Sequence, residues 1–121
     1  MKAIAYNIKK QEKEYLVKAN AKKHELTFIS NDLNNNTLIY SLDKEALILY
    51  SVNTLSPDLL YKLKEFGVKQ IISRAGKPND LIIHQVREYG ISLNYVHSSL
   101  TNEKKAQQII MQLDRLLDTS F

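Results

Sequence analysis

The chain contains no cysteine among its 121 residues. This absence excludes disulfide bonds, thiolate metal sites and a thiol nucleophile. No run of roughly 18 apolar residues occurs. The apolar stretch at the beginning of the chain is short and ends at Asn7, which is not the pattern of a secretory signal. We therefore expect a cytoplasmic domain that has no membrane attachment.

Glycine is scarce, with only Gly67, Gly76 and Gly90 in the whole chain. A phosphate-binding loop or a dinucleotide fingerprint needs clustered glycines, because backbone N–H groups must come close to phosphate oxygens. Three dispersed glycines exclude both motifs, and we expect no cofactor. Their spacing instead places Gly67 and Gly90 just after helices and Gly76 after a strand, where a turn favours glycine.

The apolar and charged contents, 44% and 25%, are those of an ordinary soluble globular domain. The length fits a single domain. Short apolar runs predict five strands, at Ala3–Tyr6, Leu26–Ile29, Ala46–Tyr50, Gln70–Ile72 and Ile91–Val96. Continuously apolar runs such as that around Leu47 are typical of parallel strands covered on both faces.

Segments with helical spacing lie between these runs. The first is Gln11–Ala19, with Tyr15, Leu16 and Ala19 on one side, and a short helix is expected within Thr37–Leu42. The next helix starts at Ser56-Pro57-Asp58 and contains Leu59, Leu60, Leu63 and Phe66, and another contains Leu81, Ile82, Val86 and Tyr89. The last helix begins at Thr101 as N-cap and carries an apolar stripe of Ala106, Ile109, Ile110, Leu113, Leu116 and Leu117.

This alternation predicts an α/β fold. The expected architecture is a flavodoxin-like, doubly wound, five-stranded parallel sheet of order 2-1-3-4-5, in three layers α/β/α. Ligands of such sheets bind beyond the carboxyl ends of the strands, near the switch in strand order.

The three histidines, His24, His84 and His97, are not spaced as metal ligands, and no metal site is predicted. We expect structural or surface roles for His24 and His84. His97 follows the last strand and is a candidate ligand contact. Ser98 and Ser99 lack an acidic residue nearby in sequence, so a hydrolase triad is unsupported.

Residues 1–25 hold seven lysines against three glutamates, which accounts for the whole net charge of +4. Such a face could bind an acidic partner. The cluster contains no arginine and no aromatic pattern for base stacking, so we favour a solvated surface and do not expect nucleic-acid binding.

Several segments together resemble a known family. They occur in order and with little shift: Met1–Tyr6, Glu14–Asn20, His24–Phe28, Val52-Asn53, Leu59–Gly67, Gly67–Ile72, Arg74-Ala75-Gly76 and Glu88–Ile91. These segments are similar to the opening of D-lactate dehydrogenases, in the D-isomer-specific 2-hydroxyacid dehydrogenase family, over roughly residues 1–96. Thr101–Phe121 resembles the helix that returns to the substrate domain of those enzymes.

The resemblance implies one domain, with residues 1–96 as substrate domain and 101–121 as returning helix, and without the NAD-binding domain. It implies that backbone around Arg74, Ala75 and Gly76 holds a substrate carboxylate, with Asn53 and His97 as further possible contacts. The family's catalytic histidine, its acidic partner, the clamping arginine and the NAD site lie in the missing domain, so no catalytic residue is expected here.

The chain departs from the family at two places. Ser99 stands near the family's tyrosine, and Lys77-Pro78-Asn79-Asp80 replaces the family's aspartate after the Ala-Gly turn.

Three hypotheses follow. The first is a non-catalytic relative that binds a small 2-hydroxy or 2-keto acid, or a protein partner. The second is half of an NAD-dependent D-lactate dehydrogenase, either one that needs a separate dinucleotide domain or a fragment of a longer gene. The third is a binder of acidic partners through residues 1–25. We expect a natural chain end at Asp118-Thr119-Ser120-Phe121, which follow the apolar stripe.

Overall fold

A computed structural model describes residues 1–53 and 55–118, with side chains through Arg115 in the last helix. The elements, in chain order, are β1 (Lys2–Ala5), α1 (Lys10–Asn20), β2 (Glu25–Phe28), a short 3-10 helix (Leu38–Ser41), β3 (Ala46–Leu49), α2 (Pro57–Glu65), β4 (Gln70–Ser73), α3 (Asp80–Glu88), β5 (Ser92–Tyr95) and α4 (Asn102–Asp118).

The five strands form one parallel sheet of order β2-β1-β3-β4-β5. In the centre, Ala3 of β1 lies beside Ala46 of β3, and Leu47 of β3 lies beside Ile71 of β4. The predicted α/β fold class and strand order are therefore confirmed. Each strand lies within one residue of its predicted bounds at both ends.

Alternating side chains of the strands build two core layers. Ile4, Leu47 and Ile71 face the layer that contains Leu60 of α2 and Val86 of α3. The opposite faces of the strands meet α1 and α4, where the buried side chains are Ala3, Ala5, Leu16, Ile48, Ile72, Ala106, Ile109, Ile110 and Leu113. All four residues of the central strand β3 are buried, which explains why this run is apolar throughout.

Helix α4 begins as the sequence predicts. The Thr101 hydroxyl accepts the Lys104 N–H at 3.2 Å, as an N-cap does. Ala106, Ile109, Ile110 and Leu113 of the apolar stripe are buried. The side chains of Leu116 and Leu117 lie outside the described residues.

Two residues of the predicted helical patterns lie at the surface. Tyr15 is 39% exposed and Leu81 is 67% exposed. Helices α1 and α3 span only about three turns each and bury a narrow stripe, which Leu16, Ile82 and Val86 already fill.

Within the described residues, no helix is long and apolar enough to cross a membrane.

Candidate functional site

The loops that follow the parallel strands gather at the carboxyl edge of the sheet. The chain leaves β1 toward one side and β3 toward the other, so a cleft forms between their loops. The cleft has a volume of about 420 Å³ and is lined by Tyr6, Asn7, Asp32, Leu33, Asn34, Leu49, Tyr50, Ser51 and Leu55. Its wall mixes apolar side chains with hydroxyl and amide groups, a composition suited to a small polar organic molecule.

The turn after β4 is the second feature of this edge. Gly76 has φ +90° and is buried. The Ser73 hydroxyl donates to the Gly76 carbonyl at 3.1 Å, and the Ala75 N–H donates to the Ser73 hydroxyl at 3.4 Å. Among the described residues, no acceptor pairs with the Gly76 N–H. The positive φ favours glycine, and a backbone N–H at such a turn is a donor that anions bind.

Ser98 of the loop after β5 closes over this turn. Its hydroxyl oxygen lies 3.5 Å from the position that a Cβ would take at Gly76. The two loops therefore place the Ser98 hydroxyl, a hydrogen-bond donor, against the backbone of Gly76. Sequence reasoning considered Ser98 only as a nucleophile and missed this role as a neighbour of the turn.

Helix α3 starts at the same edge. Asn79 caps it by accepting the Ile82 N–H at 2.8 Å. The Asn79 amide also donates to the Asn53 side-chain oxygen at 3.4 Å, which ties the loop after β3 to the start of α3. The positive end of the helix dipole thus faces the carboxyl edge, where it favours a negative group.

Arg74 is buried, with 3% of its surface exposed. Its guanidinium donates to the carbonyl oxygens of Tyr6 and Asn7, each at 2.9 Å, and forms an ion pair with Glu12 of α1. The side chain is thus directed into the protein, beneath the loop after β1. Ligand contact by this side chain stays a prediction.

Tyr6 forms the floor of the cleft. The residue is 1% exposed, and its hydroxyl donates to the Thr37 carbonyl at 2.9 Å. Burial disfavours the phenolate and raises the pKa of Tyr6 to about 12. The hydroxyl is therefore a neutral, fixed group and is unsuited to proton transfer near neutral pH.

His97 is exposed, and its ring centre lies 6.1 Å from that of Tyr95. The structure brings its neighbour Ser98 to Gly76, while Asn53 approaches Asn79 on another side of the turn. Roles of Arg74, Ala75, Gly76, Asn53 and His97 in ligand binding stay predictions. The cleft residues Tyr50 and Asn7 were missed, although the switch between β1 and β3 was the signal that could have found them.

The other two histidines lie away from this edge. His24 is buried, and its Nε2 lies 2.7 Å from an Asp114 carboxylate oxygen of α4. The two residues are 90 positions apart, so no sequence spacing reveals the pair. His84 is exposed and pairs with Glu88 at 3.0 Å. Among the described residues, no three metal-ligating side chains lie close enough to hold a metal ion.

The lysines of residues 1–25 are all exposed. Two of them have partners on the protein: Lys23 lies 3.5 Å from Asp114, and the Lys13 ammonium lies 5.4 Å from the centre of the Phe28 ring.

Solved structures show what the chain is similar to. D-lactate dehydrogenase from Escherichia coli superposes with a TM-score of 0.73 at 27% identity, over 99% of this chain and 39% of that enzyme. Salmonella D-lactate dehydrogenase superposes with a TM-score of 0.72 at 27% identity, over 99% of this chain and 37% of that enzyme. The NAD-complexed D-isomer-specific 2-hydroxyacid dehydrogenase from Lactobacillus delbrueckii superposes with a TM-score of 0.67 at 21% identity, over 79% of this chain and 30% of that enzyme. This similarity shows the fold alone.

No protein-family model matches the chain, and no curated protein matches it. The chain spans less than two fifths of the length of the Escherichia coli and Salmonella D-lactate dehydrogenases, although 99% of its own length aligns with each of them. The resemblance predicted from the sequence is confirmed: the chain is similar, over nearly all of its length, to a single domain of D-lactate and related D-2-hydroxyacid dehydrogenases.

Proposed function

We propose that this chain is a substrate-domain relative that binds a small 2-hydroxy or 2-keto acid at its carboxyl edge and does not catalyse hydride transfer by itself. The observation that carries the proposal is the Ala75-Gly76 turn, where the N–H of the buried Gly76 has no partner among the described residues and the Ser98 hydroxyl lies against the Gly76 backbone. A carboxylate has two acceptor oxygens and fits two adjacent donors.

The charges around the turn support an anion. The start of α3 directs its positive dipole end to this edge, and Lys77 is exposed one residue after Gly76. The cleft between the loops of β1 and β3, with Tyr50 on its wall, lies at the same edge of the sheet.

The residues of this chain do not fit a dinucleotide. Gly67 and Gly90 follow helices α2 and α3, where each takes a positive φ at a helix end. Gly76 stands alone in its turn, so no glycine-rich loop leads into a helix as a pyrophosphate site requires. Hydride transfer also needs a proton donor beside the reacting carbon. The neutral Tyr6 hydroxyl, already bonded to Thr37, does not serve as one.

The test is a titration with pyruvate, lactate and larger 2-keto acids, followed by the backbone amide signals in NMR spectra. We expect millimolar affinity, because a site without a closing domain remains open to water. Shifts clustered at residues 75–77 and 98 support the proposal. Ser98→Ala should weaken binding several-fold, whereas Ser92→Ala, on an exposed strand position, should not. Shifts elsewhere, or none at tens of millimolar acid, would overturn the proposal.

A further inference from the structure

Arg74 connects three segments of the carboxyl edge. Its Nη2 donates to the carbonyl oxygens of Tyr6 and Asn7, and its Nη1 pairs with the carboxylate of Glu12. Its backbone N–H donates to the Leu49 carbonyl at the end of β3, at 2.8 Å. We call residues 6–9 the β1–α1 loop. Arg74 therefore joins the turn after β4 to β3, to the first turn of α1 and to the β1–α1 loop.

The β1–α1 loop accepts hydrogen bonds from Arg74 at a residue of unusual backbone conformation. Asn7 has φ +50°, a left-handed conformation that is uncommon for residues other than glycine, although asparagine adopts it more readily than most. Its N–H donates to the Asn31 carbonyl at 2.8 Å, while its own carbonyl is bonded to Arg74. Hydrogen bonds from a buried cation to carbonyl oxygens are strong, and the loss of the cation leaves those oxygens without a partner.

We infer that Arg74 is a positioning residue, which shapes the cleft and the Gly76 turn together and does not itself contact the ligand. Both of its terminal nitrogens are occupied by protein groups. Its guanidinium carbon lies 5.8 Å from the ring centre of Tyr50, on the cleft wall. Arg74 thus hydrogen-bonds to two cleft residues, Tyr6 and Asn7, and directly precedes the proposed carboxylate-binding turn at Ala75-Gly76. The effect on ligand affinity rests on the proposed function; the effect on the loop does not.

The loop is tested without any ligand. Glu12→Gln removes the charge that orients the guanidinium, and Arg74→Lys removes the planar fork that reaches three partners. Glu14→Gln is the matched control, since Glu14 is exposed on the same helix and has no partner among the described residues. We expect hydrogen exchange at the Asn7 and Ile8 amides to quicken roughly tenfold in the first two variants and not in the control.

The ligand test uses pyruvate on the same three variants and on the unchanged protein. We expect the dissociation constant to rise about tenfold in Glu12→Gln and in Arg74→Lys, and to stay unchanged in Glu14→Gln. Arg74→Lys keeps the positive charge, so normal affinity in this variant would mean that charge alone matters and would overturn the positioning role.

The outcomes separate the two proposals. If the unchanged protein binds no acid, the proposed function fails, and the exchange rates of the β1–α1 loop still decide the role of Arg74. If exchange in Glu12→Gln and Arg74→Lys equals that in Glu14→Gln, the inference about Arg74 is wrong. Should Arg74→Lys not fold, Glu12→Gln decides alone, because Glu12 lies partly exposed at the helix start.

Discussion

At the scale of single residues, the buried His24 and the partly exposed Asp114 form a pair that joins the segment before β2 to α4. An ionised carboxylate only accepts hydrogen bonds, so we assign the proton on the His24 ring to Nε2. The other ring nitrogen, Nδ1, is buried and has no hydrogen-bond partner among the described residues. The Asn20 side chain fixes the His24 backbone, with bonds of 2.8 and 3.0 Å.

A double-mutant cycle tests this pair. Asp114→Ala leaves a buried N–H without an acceptor and should cost about 1–3 kcal/mol of unfolding free energy. In a His24→Phe background no such donor exists, so the same substitution should cost far less. Urea denaturation of the four proteins gives the coupling energy. An equal effect of Asp114→Ala in both backgrounds would contradict the assignment.

Tyr6 provides a pH-dependent prediction. Burial raises the pKa of its hydroxyl to about 12, while a tyrosine in the unfolded chain has a pKa of about 10. The folded protein thus holds this proton more tightly. The stability that neutral Tyr6 contributes is complete below pH of about 10 and is lost as the pH rises from there toward 12.

The measurement is the ultraviolet absorbance of tyrosinate during alkaline titration. We expect one late ionisation step near pH 12, absent in Tyr6→Phe and retained in Tyr61→Phe, which alters a 56% exposed side chain. A late step that survives in Tyr6→Phe would show that Tyr6 is not its source.

At the scale of elements, α4 completes the core on one face of the sheet. Leu113 is fully buried, whereas Met111 on the outer side of the same helix is 47% exposed. Leu113→Ala should therefore cost about 2–5 kcal/mol through lost apolar burial and a residual cavity. Met111→Ala, the matched control, should cost less than about 1 kcal/mol.

Denaturation midpoints at constant m-value provide the comparison between Leu113→Ala and Met111→Ala.

Removal of residues 101–121 should abolish the cooperative transition, since the apolar stripe of α4 covers Ala3, Ala5 and Ile48 of the sheet. A truncated protein that still unfolds cooperatively would mean that α4 is an accessory to the core.

At the scale of the whole molecule, we expect the 121-residue chain not to bind NADH. Its three glycines occupy helix ends and one strand-to-helix turn, so backbone N–H groups are not clustered for a pyrophosphate. Titration calorimetry and NADH fluorescence at micromolar protein are the measurements, with the Lactobacillus delbrueckii enzyme as the positive control, since its structure carries NAD. A saturable fluorescence increase would instead favour the hypothesis of a dehydrogenase half.

The sequence by itself determined the fold and most of its elements. Parallel strands covered on both faces must be apolar throughout, and helices that cover them must repeat apolar residues at three and four positions, so both patterns are written along the chain. Local residue types also predicted the helix caps at Ser56 and Thr101 and the turn at Gly76. The likeness to D-lactate dehydrogenases rested on the order of such segments.

Only the tertiary structure decided where the polar side chains go. Arg74 meets Glu12 across 62 positions, and His24 meets Asp114 across 90. Such pairs form because strands distant in sequence become neighbours in the sheet and because helices pack over them, and residue type alone does not reveal them. Whether Arg74 faces a ligand or the protein interior depends on which carbonyl groups the neighbouring loop presents, and that geometry exists only after the chain has folded.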